Sequence, residues 1–538
     1  MNKKFNFADA SILVFLLLFI VFYALIFVDF SIAPFEDAAI LMRYSDNFAQ
    51  GHGVVWNIGE KPVDGATDFL FMIIVGLFVK AGASLEFSVR FIGFLSHLFT
   101  VWIVYLALIK LHNAHFLPSL ISSLYLAVGP GLYLVAAYFG TPFFALFVTC
   151  TWYCALSIIL KGEKRSFSIC FAIFSLITSL IRPEGVILTF LMLLAIVFYN
   201  GIKKSRRTIY YYLGIFIFLG GIYFLWRWKY FGFPLPNPFY KKGNAIYFSS
   251  FKSSIINTIR LSLPFLPVFI IGFYSKKTLR LAISLLIPII GFASAFILIS
   301  NEMNFGLRFQ YALLPIILMS WWPLIGDFKI DWHLQNWNEL NIQKKIVISL
   351  LIIVLSLGII GYQGYVGRFK YNRDGKYDVA IMLSKYKTKK FVIATTEAGL
   401  LPLYSHWKAL DTWGLNDQNI AHNGLITEDY IKLFKPNIIM FHEFFSPFVS
   451  YKGRGSWFDM VMTMKYYAEK NKYYLAAIYG DSPYNTHWYY VRTDFPESLE
   501  IVNKIRAIDY YWCGTGRKSV NYGLLITNKL DESLKKDK

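Results

Sequence analysis

The sequence predicts a polytopic α-helical membrane protein of about 11–13 transmembrane helices, followed by a C-terminal α/β soluble domain. The first observation is composition: 56% of the 538 residues are hydrophobic and only 16% are charged, whereas about a quarter of a typical soluble chain is charged. The second is a series of apolar runs long enough to cross a bilayer. The third is a change of pattern after Tyr365, where short strand-like runs alternate with polar helical ones.

Apolar runs along the first two thirds of the chain carry the membrane prediction. Several are short or merge with a neighbour, so the expected number of spans is a range. The runs lie at residues 9–29, 67–81, 89–110, 116–137, 142–160, 166–181, 185–200, 209–228, 259–275, 278–300, 309–326 and 345–365. The first run is long for a signal peptide and no small-residue cleavage site follows it. We therefore expect an uncleaved first span.

Clusters of lysine and arginine set the expected orientation, because cytoplasmic loops of membrane proteins are enriched in these residues. The clusters lie at residues 3–4, 161–165, 203–207, 276–280 and 344–345. If all are cytoplasmic, the outer side holds residues 31–67, 182–185, 230–257, 301–308 and everything after about residue 364. Three runs lie between Lys80 and Lys161, where this rule needs two or four. We expect one of them to be re-entrant or split near Gly129-Pro130-Gly131.

The domain prediction divides the chain at the change of pattern. Residues 1–365 are the predicted transmembrane domain, with its first outer loop at 31–67, and residues 366–538 are the predicted extracytoplasmic α/β domain. The strand-like runs are at 391–395, 408–411, 437–441, 473–479 and 488–493, and a polar helical run is at 428–434. Such alternation of strand and helix patterns is typical of an α/β domain.

The charge pattern argues against nucleic acid binding, and the cysteine content argues against a disulfide framework. The net charge of +20 does not indicate nucleic acid binding, because the basic residues stand in short clusters between apolar runs. Cys150, Cys154 and Cys170 lie in apolar runs and Cys513 has no evident partner, so no disulfide framework is predicted. Packing of buried thiols explains Cys150 and Cys154 better than a metal or redox pair does.

The polar loop between the first two apolar runs, residues 34–70, is the strongest candidate site. Polar groups in so apolar a chain are costly unless they meet water, a partner or a ligand. A proline before Glu36 and Asp37, and glycines after residue 50, predict a short amphipathic helix lying in the membrane interface. The two acids complement the helix dipole. That role does not explain two carboxylates directly after a span with Arg43 and His52 close behind, so we favour a functional role.

Three further outer segments hold cations suited to a phosphate group. Arg182 and Glu184 lie in a Pro-Gly turn, where they form either a simple ion pair or part of a phosphate site. Lys241 follows a proline-rich segment and meets either lipid headgroups in general or one lipid-linked phosphate. Arg308, which shares a turn with Glu302, either snorkels to the interface or binds a phosphate.

The C-terminal part offers weaker signals. Residues 395–404 and 410–417 are rich in polar residues and glycine after predicted strands, where loops often bind ligands; they suit a docking surface against the membrane domain equally well. The scattered histidines, including His442 beside Glu443, show no metal-ligand spacing. The sequence contains no Walker loop, dinucleotide-binding fingerprint, nucleophile elbow or zinc signature.

The segment FEDAAILMRYSDNFAQGHGVVWNIGEKPVDG resembles the first periplasmic loop of GT-C superfamily membrane glycosyltransferases, most closely the branch containing the mycobacterial terminal β-arabinofuranosyltransferase. The matching residues in this loop are Glu36, Asp37, Ala38, Arg43, Tyr44, Gly51, His52, Gly53, Trp56, Asn57, Gly59, Glu60, Asp64 and Gly65. Later matches, in family order, are Gly140-Thr141-Pro142, Arg182-Pro183-Glu184-Gly185, Tyr230-Phe231-Gly232, Leu235-Pro236-Asn237, Arg308-Phe309, Glu397, Gly399, Asp411 and Gly414-Leu415-Asn416-Asp417.

Two positions depart from the family pattern. The family usually shows Thr-Asn/Ser-Pro-Leu-Trp after the acid-Gly pair, whereas this chain has Asp68 and Phe69 after Thr67. The family often has an acid before Thr141, and here Gly140 stands there. These departures argue against carrying over arabinose as the sugar.

The resemblance implies a GT-C-like fold and transfer of a sugar from a polyprenyl-phosphate donor. The implied acceptor is a cell-envelope glycan, glycolipid or protein at the outer face of a bacterial inner membrane. By motif position, Asp37 is the catalytic base and Glu36 assists it or binds sugar hydroxyls. The implied donor-phosphate ligands are Arg308, Lys241 and Arg182. The implied substrate-binding residues are Arg43, His52, Trp56, Glu184, Glu397 and Asn416. No cofactor and no metal ligand is predicted, although a divalent cation is compatible with such chemistry.

Two other classes of function compete with this interpretation. A transporter or lipid flippase shares the many spans and the polar groups near the membrane, but it should show inverted repeats and broken helices in both halves. A sensor or assembly protein would use the outer domain to bind a ligand, but it would not need acid–base residues in the first loop. Neither class requires the ordered series of motifs described above.

Overall fold

The computed structural model of the chain describes residues 7–243, 246–301, 303–325, 342–368, 373–450 and 455–525. Helices dominate the first part. Their bounds are α1 Phe7–Phe27, α2 Glu36–Ala49, α3 Phe69–Lys80, α4 Leu85–Leu106, α5 Phe116–Ala127, α6 Pro130–Ala136, α7 Thr141–Lys161, α8 Arg165–Ile181, α9 Glu184–Asn200, α10 Arg206–Ile215, α11 Gly221–Phe231, α12 Asn237–Lys242, α13 Phe248–Ser262, α14 Leu266–Tyr274, α15 Lys276–Ala295, α16 Leu313–Ser320 and α17 Ile342–Gly367. Glu302 lies outside the described residues, as do the basic residues at 3–4.

The apolar helices confirm a multi-pass membrane protein. Among the described residues, eight helical segments are long and apolar enough to cross a membrane, and four shorter apolar helices accompany them. Each predicted apolar run corresponds to one of these segments. The break expected near Gly129 is also confirmed, because α5 ends at Ala127 and α6 begins at Pro130. A proline in the first turn of α6 suits a helix start, since its missing N–H would have no partner there.

Helix α2 is the predicted helix of the first loop, but its surroundings differ from the prediction of an interfacial helix with one polar face. Its apolar side packs on α3, where Gly76 makes room: a Cβ there would lie 2.6 Å from the ring of Phe48. Part of its polar side is also covered, because Arg43 is 8% exposed and Asn47 is 6% exposed. The periodicity identified the helix, but it could not reveal that the C-terminal part covers part of the polar face.

The C-terminal part contains the expected sheet with helices around it. Its helices are α18 Gly375–Leu383, α19 Leu400–Ser405, α20 Gln418–Asn423, α21 Glu428–Phe434, α22 Ser456–Lys470 and α23 Ser498–Arg506. Its strands are β1 Val392–Thr395, β2 Lys408–Asp411, β3 Ile438–Glu443, β4 Tyr473–Ser482, β5 Asn485–Arg492 and β6 Val520–Asn521. The five predicted strand runs correspond to β1–β5, and the predicted helical run corresponds to α21.

The sheet is mixed, with strand order β2-β1-β3-β5-β4-β6. Strand β1 pairs in parallel with β2 on one side and with β3 on the other. Strand β5 runs antiparallel to both β3 and β4. In parallel strands joined by helices, the carboxyl ends meet at one edge of the sheet, which is where such folds bind ligands. The loops after β1 and β2 start from this edge and reach the first loop of the membrane part.

Candidate active site

The first turn of α2 directs its two acids to different partners. Successive residues of a helix point about 100° apart, so Glu36 and Asp37 cannot face the same group. Asp37 accepts a hydrogen bond from Arg308 in the membrane part, whereas Glu36 pairs with Lys376 in the C-terminal part. The two acids that the sequence presents as one motif therefore belong to two separate clusters.

Asp37 and Arg308 form an ion pair that is open on one side. The Asp37 side chain is 34% exposed and the Arg308 side chain is 10% exposed. The guanidinium carbon of Arg308 lies 4.6 Å from the ring centre of Phe139 and 4.8 Å from that of Phe309. Such stacking fixes a guanidinium while leaving its N–H edge free to bind an anion. The carboxylate of Asp37 is thus the accessible member of the pair.

A second guanidinium lies beside the first. Arg182 Nε is 3.2 Å from Asp68 Oδ1, and Arg182 Nη2 is 3.2 Å from Glu184 Oε1. Its guanidinium carbon is 5.6 Å from the ring centre of Phe309, the same ring that Arg308 contacts. Burial alone would lower the pKa of Arg182, but the charges of Asp68 and Glu184 outweigh it and raise that pKa. Two fixed cations therefore share the ring of Phe309, and one of them, Arg308, pairs with Asp37.

Asp68 explains the two departures from the family pattern. A Cβ added at Gly140 would lie 2.6 Å from Asp68 Oδ2 and 2.7 Å from the ring of Phe71. The space beside Gly140 is thus filled by the carboxylate of Asp68, which pairs with Arg182. The carboxylate of an acid from the end of the first loop therefore lies directly beside the position before Thr141. Sequence reasoning treated the two changes as unrelated because they lie far apart in the chain.

Arg43 and Trp56 lie in the contact between the first loop and the C-terminal part. Arg43 donates hydrogen bonds to the carbonyl oxygens of Trp56, Pro402 and Trp407, and to Asn57 Oδ1. Its three nitrogens are therefore engaged within the protein. Trp56 is 2% exposed, and Arg43 stacks on its ring at 5.2 Å. The matched motif residues here hold two parts of the chain together.

Asn416 has a similar structural position. Its backbone N–H and its Nδ2 both donate to Asp411 Oδ2, at 2.8 and 2.9 Å. Its Oδ1 accepts from the hydroxyl of Tyr44 at 3.1 Å. Gly65 permits this contact, because a Cβ there would collide with Asn416 Oδ1. Arg227 fixes the preceding residue, Asp64, through Nε and Nη2 at 2.5 and 2.6 Å.

Lys241 is not brought to the Asp37 cluster. Its Nζ donates to the carbonyl oxygen of Gly424 at 2.5 Å and lies 4.3 Å from the ring centre of Trp413. It lines a pocket of about 610 Å³ together with Tyr240 and Trp413. His52 is exposed at the end of α2. Of the three predicted phosphate ligands, the structure therefore brings together Arg308 and Arg182.

An open pocket of about 570 Å³ lies between the first loop and the C-terminal part. Neither Asp37 nor Arg308 lines it. Its walls are rich in amides, acids and aromatic rings, the groups that bind sugars by hydrogen bonding and stacking. The lining includes Trp56, Asn57, Glu60, Asn416, Gln418 and Tyr430. Two of the predicted substrate-binding residues, Trp56 and Asn416, are thus in its walls.

Glu36 and Glu397 belong to a buried ion cluster around Lys376. Lys376 Nζ is 2.6 Å from Glu397 Oε2, 3.0 Å from Glu36 Oε2 and 3.7 Å from Asp374 Oδ2. Burial raises the pKa of Glu36 to about 7. Burial also acts to raise the pKa of Glu397, but the charge of Lys376 and the interactions with His442 and His487 together outweigh it and lower that pKa well below its usual range. These partners therefore keep Glu397 ionised more strongly than Glu36.

Gly399 allows the C-terminal part to approach α2. Its N–H and that of Leu400 donate to Glu36 Oε1 at 2.6 and 3.1 Å, and a Cβ at Gly399 would fall on the carbonyl oxygen of Glu36. We expect Gly399→Ala to push α19 away from α2 and to cost about 1–3 kcal/mol, as overpacking typically does. Thermal unfolding of the purified protein measures this loss.

The matched control for this substitution is Gly214→Ala. Gly214 lies in α10, and a Cβ there would meet no atom within 4 Å. Alanine favours a helix over glycine by about 1 kcal/mol, so the control should unfold at the same temperature as the wild type or higher. Equal unfolding temperatures for Gly399→Ala and Gly214→Ala would contradict the close approach at Glu36.

Sequence reasoning missed several residues that complete these clusters. They are Asp68, Phe139, Asp374 and Lys376. Asp68 was noted only as a departure, and an aspartate before an apolar helix resembles an ordinary helix start. Lys376 lies near the start of α18, and no residue near it in the chain indicates that Glu36 and Glu397 surround its ammonium group. Their roles depend on contacts between distant segments.

Comparison with known sequences finds one family match, in the C-terminal part of the chain. Residues 363–494 match a family described as a domain of unknown function, DUF8728. No curated protein matches the sequence. The matched segment begins within α17 and ends just after β5, so it contains five of the six strands of the sheet.

Two crystal structures of ArnT from Cupriavidus metallidurans have a similar fold over nearly their whole length. The apo form gives a TM-score of 0.57 at 13% identity, covering 90% of this chain and 98% of ArnT. The form bound to undecaprenyl phosphate gives 0.55 at 13% identity, covering 89% and 97%. An oligosaccharyltransferase from Archaeoglobus fulgidus, in complex with zinc and sulfate, gives 0.48 at 11% identity, covering 89% and 72%. The similarity to ArnT confirms the predicted fold class, a polytopic helical membrane protein with a C-terminal α/β part.

Proposed function

We propose that this chain is a membrane glycosyltransferase that transfers a sugar from a polyprenyl-phosphate donor to an acceptor in the cell envelope. The observation that carries the proposal is the open carboxylate of Asp37 paired with Arg308, whose guanidinium shares the ring of Phe309 with that of Arg182. General base and phosphate ligands are then within one cluster. Support also comes from the shared fold, because one ArnT structure contains undecaprenyl phosphate.

The Asp37–Arg308 pair suggests how the site begins its reaction. A donor phosphodiester competes with Asp37 for the N–H groups of Arg308, because its two unesterified oxygens can accept two parallel hydrogen bonds from one guanidinium. Asp37 is then released as a carboxylate that can accept a proton. The acceptor hydroxyl attacks C1 of the sugar, the bond from C1 to the phosphate oxygen breaks, and the hydroxyl proton passes to Asp37. Polyprenyl phosphate leaves with the bond electrons and is stabilised by Arg308 and Arg182.

The acceptor side is assigned to the open pocket at the first loop. Its amides and rings, including Asn57, Gln418 and Tyr430, suit a glycan or glycolipid. Lys241 and His52 do not line this pocket, and Lys241 Nζ contacts Gly424 and Trp413 in the C-terminal part instead. The resemblance to the arabinofuranosyltransferase branch rests on the motif match alone, and Asp68 beside Gly140 distinguishes this chain from that pattern.

Arg308 is expected to act mainly on donor use. Arg308→Ala removes a phosphate ligand and should lower kcat/KM for the lipid donor by about 10²–10³-fold, as the loss of one fixed donor to a developing anion does. The dependence on acceptor concentration should change much less. Sugar transfer in membranes, measured with each substrate varied in turn, separates the two effects.

Arg308→Lys is the informative companion variant. It keeps the positive charge but loses the planar fork that stacks between Phe139 and Phe309, so we expect activity between those of Arg308→Ala and the wild type. An unchanged donor dependence in Arg308→Ala would remove Arg308 from the phosphate site.

The proposed topology puts residues 366–538 outside the cytoplasm of a bacterial inner membrane. Lys470 is 74% exposed at the end of α22, so a cysteine there should react with a membrane-impermeant maleimide in intact cells. Lys204, in a predicted cytoplasmic cluster, gives the matched control and should react only after lysis. Both variants are made with Cys170 and Cys513 replaced by serine. The reverse labelling pattern would overturn the orientation and with it the proposed outer-face reaction.

A further inference from the structure

Three potential metal ligands converge at the edge of the C-terminal sheet, outside the cluster of Asp37. Glu397 follows β1, His442 is near the end of β3, and His487 is near the start of β5. His442 and His487 are paired in the antiparallel register of β3 and β5. One ligand atom from each of the three residues lies within 4.8 Å of the others. We propose that Glu397, His442 and His487 bind a zinc ion.

The contacts of His442 turn a ring nitrogen toward Glu397. His442 Nε2 is 2.7 Å from Asn485 Oδ1, and the amide of Asn485 is oriented by its own donation to Asp481 Oδ1 at 3.1 Å. A carbonyl oxygen only accepts, so Nε2 carries the proton and Nδ1 of the neutral ring carries the lone pair. This Nδ1 is 3.7 Å from Glu397 Oε1. Two acceptors that face each other across this distance need a cation or a proton between them.

The ring of His487 is also fixed by a hydrogen bond at one of its two nitrogens. Its Nδ1 lies 2.6 Å from the hydroxyl of Tyr510, which leaves Nε2 as the nitrogen for a ligand. Histidines that bind metals usually have such a partner on the other nitrogen, and it fixes the ring and its tautomer. Ligands of a tetrahedral zinc ion at about 2.1 Å are about 3.4 Å apart. The separation of 3.7 Å between His442 Nδ1 and Glu397 Oε1 needs a small contraction, and the other separations, all within 4.8 Å, need one of up to about 1.4 Å.

The charges around the three ligands favour a dication. Three carboxylates, those of Glu36, Asp374 and Glu397, surround the single ammonium group of Lys376. Their side chains are 13%, 3% and 13% exposed, so water screens them little. Buried charge is costly unless it is paired. A zinc ion on Glu397 Oε1 would offset the excess of carboxylates, while Lys376 keeps the other oxygen, Oε2.

The ligand types select the metal and its role. Two imidazoles and one carboxylate suit Zn²⁺, whereas Mg²⁺ and Ca²⁺ prefer oxygen ligands throughout. The site joins β1, β3 and β5 and supports Glu397, which holds Lys376 against Glu36. We therefore infer that the ion stabilises the contact between the C-terminal part and the first turn of α2. This assignment does not depend on the identity of the substrate or on glycosyl transfer.

The test uses the full-length protein, purified in detergent without an affinity tag and treated with a chelator. Titration with Zn²⁺ should give about one tightly bound ion per chain and should raise the unfolding temperature. Co²⁺ alone should give the visible absorption of a tetrahedral site, and Zn²⁺ should abolish it. His442→Gln and Glu397→Gln should weaken zinc binding by more than about 100-fold, since each removes a direct ligand.

His406→Asn is the matched control. His406 is an exposed histidine of the same part of the chain, and its φ of 58° is one that asparagine tolerates. This variant should bind zinc as the wild type does. Absence of a tight zinc site in the wild-type protein would overturn the proposal, whether or not the variants fold. Unchanged zinc affinity in folded His442→Gln and Glu397→Gln would also overturn it.

Discussion

Asp37→Asn should abolish sugar transfer while leaving the protein folded in the membrane. Asparagine has the shape of aspartate but cannot accept the proton of the acceptor hydroxyl, and loss of a general base typically costs about 10²–10⁴-fold in rate. The substitution also frees Arg308 from its ion pair. We therefore expect Asp37→Asn to bind polyprenyl phosphate at least as tightly as the wild type does. Transfer rates and lipid binding, measured on the same preparation, separate catalysis from folding.

Asp46→Asn is the matched control for this result. Asp46 lies on the same helix, α2, and its carboxylate accepts a local hydrogen bond from Gln50 at 2.8 Å. The same chemical change there should leave both transfer and lipid binding near wild-type values. Near-normal transfer by Asp37→Asn would rule out Asp37 as the base. Loss of lipid binding together with transfer would point instead to damage of the whole site.

Lys376→Met should be the most destabilising of these substitutions. The side chain of Lys376 is 7% exposed, and its ammonium group lies among three carboxylates. Removal of one partner from a buried ionic cluster typically costs about 3–5 kcal/mol, because the remaining charges stay buried without compensation. The loss should appear as a lower unfolding temperature and as faster hydrogen exchange in α2 and α19, which the cluster connects.

Lys470→Met provides the comparison for Lys376→Met. Lys470 is 74% exposed and its nitrogen is 3.5 Å from Glu428, a surface pair that solvent screens. Its removal should leave the unfolding temperature unchanged within error. If Lys376→Met were equally harmless, the ion cluster would not hold the C-terminal part against α2.

The membrane helices could be predicted from sequence because hydrophobic length is a local property. A span needs about 20 apolar residues wherever it occurs, so runs such as 141–161 are recognisable without knowledge of their neighbours. The break at Gly129 followed from a count of spans together with a Gly-Pro-Gly sequence. The strands of the C-terminal part could be predicted for the same reason, because short runs rich in β-branched and aromatic residues are a local signal for strands.

The candidate site could be predicted only in part. The motif of the first loop identified Asp37, and Arg308 and Arg182 were found as cations at outer turns. Their convergence on Phe309 depends on how the helices pack, which no local pattern encodes. For the same reason Glu36 was grouped with Asp37, although its partner Lys376 lies in another part of the chain.

Arg43 and Trp56 illustrate a further limit of motif reasoning. Both match the family pattern, and both suit ligand binding by chemical type. In the structure, Arg43 donates to the carbonyl oxygens of Pro402 and Trp407 and fixes the C-terminal part on the first loop. A family motif includes residues that contact the substrate and residues that hold the site together. The sequence alone does not distinguish these two kinds of residue.

The most direct test of the proposed function is mass analysis of cell-envelope glycans from three strains. One expresses the wild-type protein, one lacks it, and one expresses Asp37→Asn at the same level. We expect one sugar substituent to be present in the first strain and absent from the other two, with polyprenyl-phosphate sugar accumulating in both. Identical glycans in all three strains, or restoration of the sugar by Asp37→Asn, would contradict a glycosyltransferase that acts through Asp37.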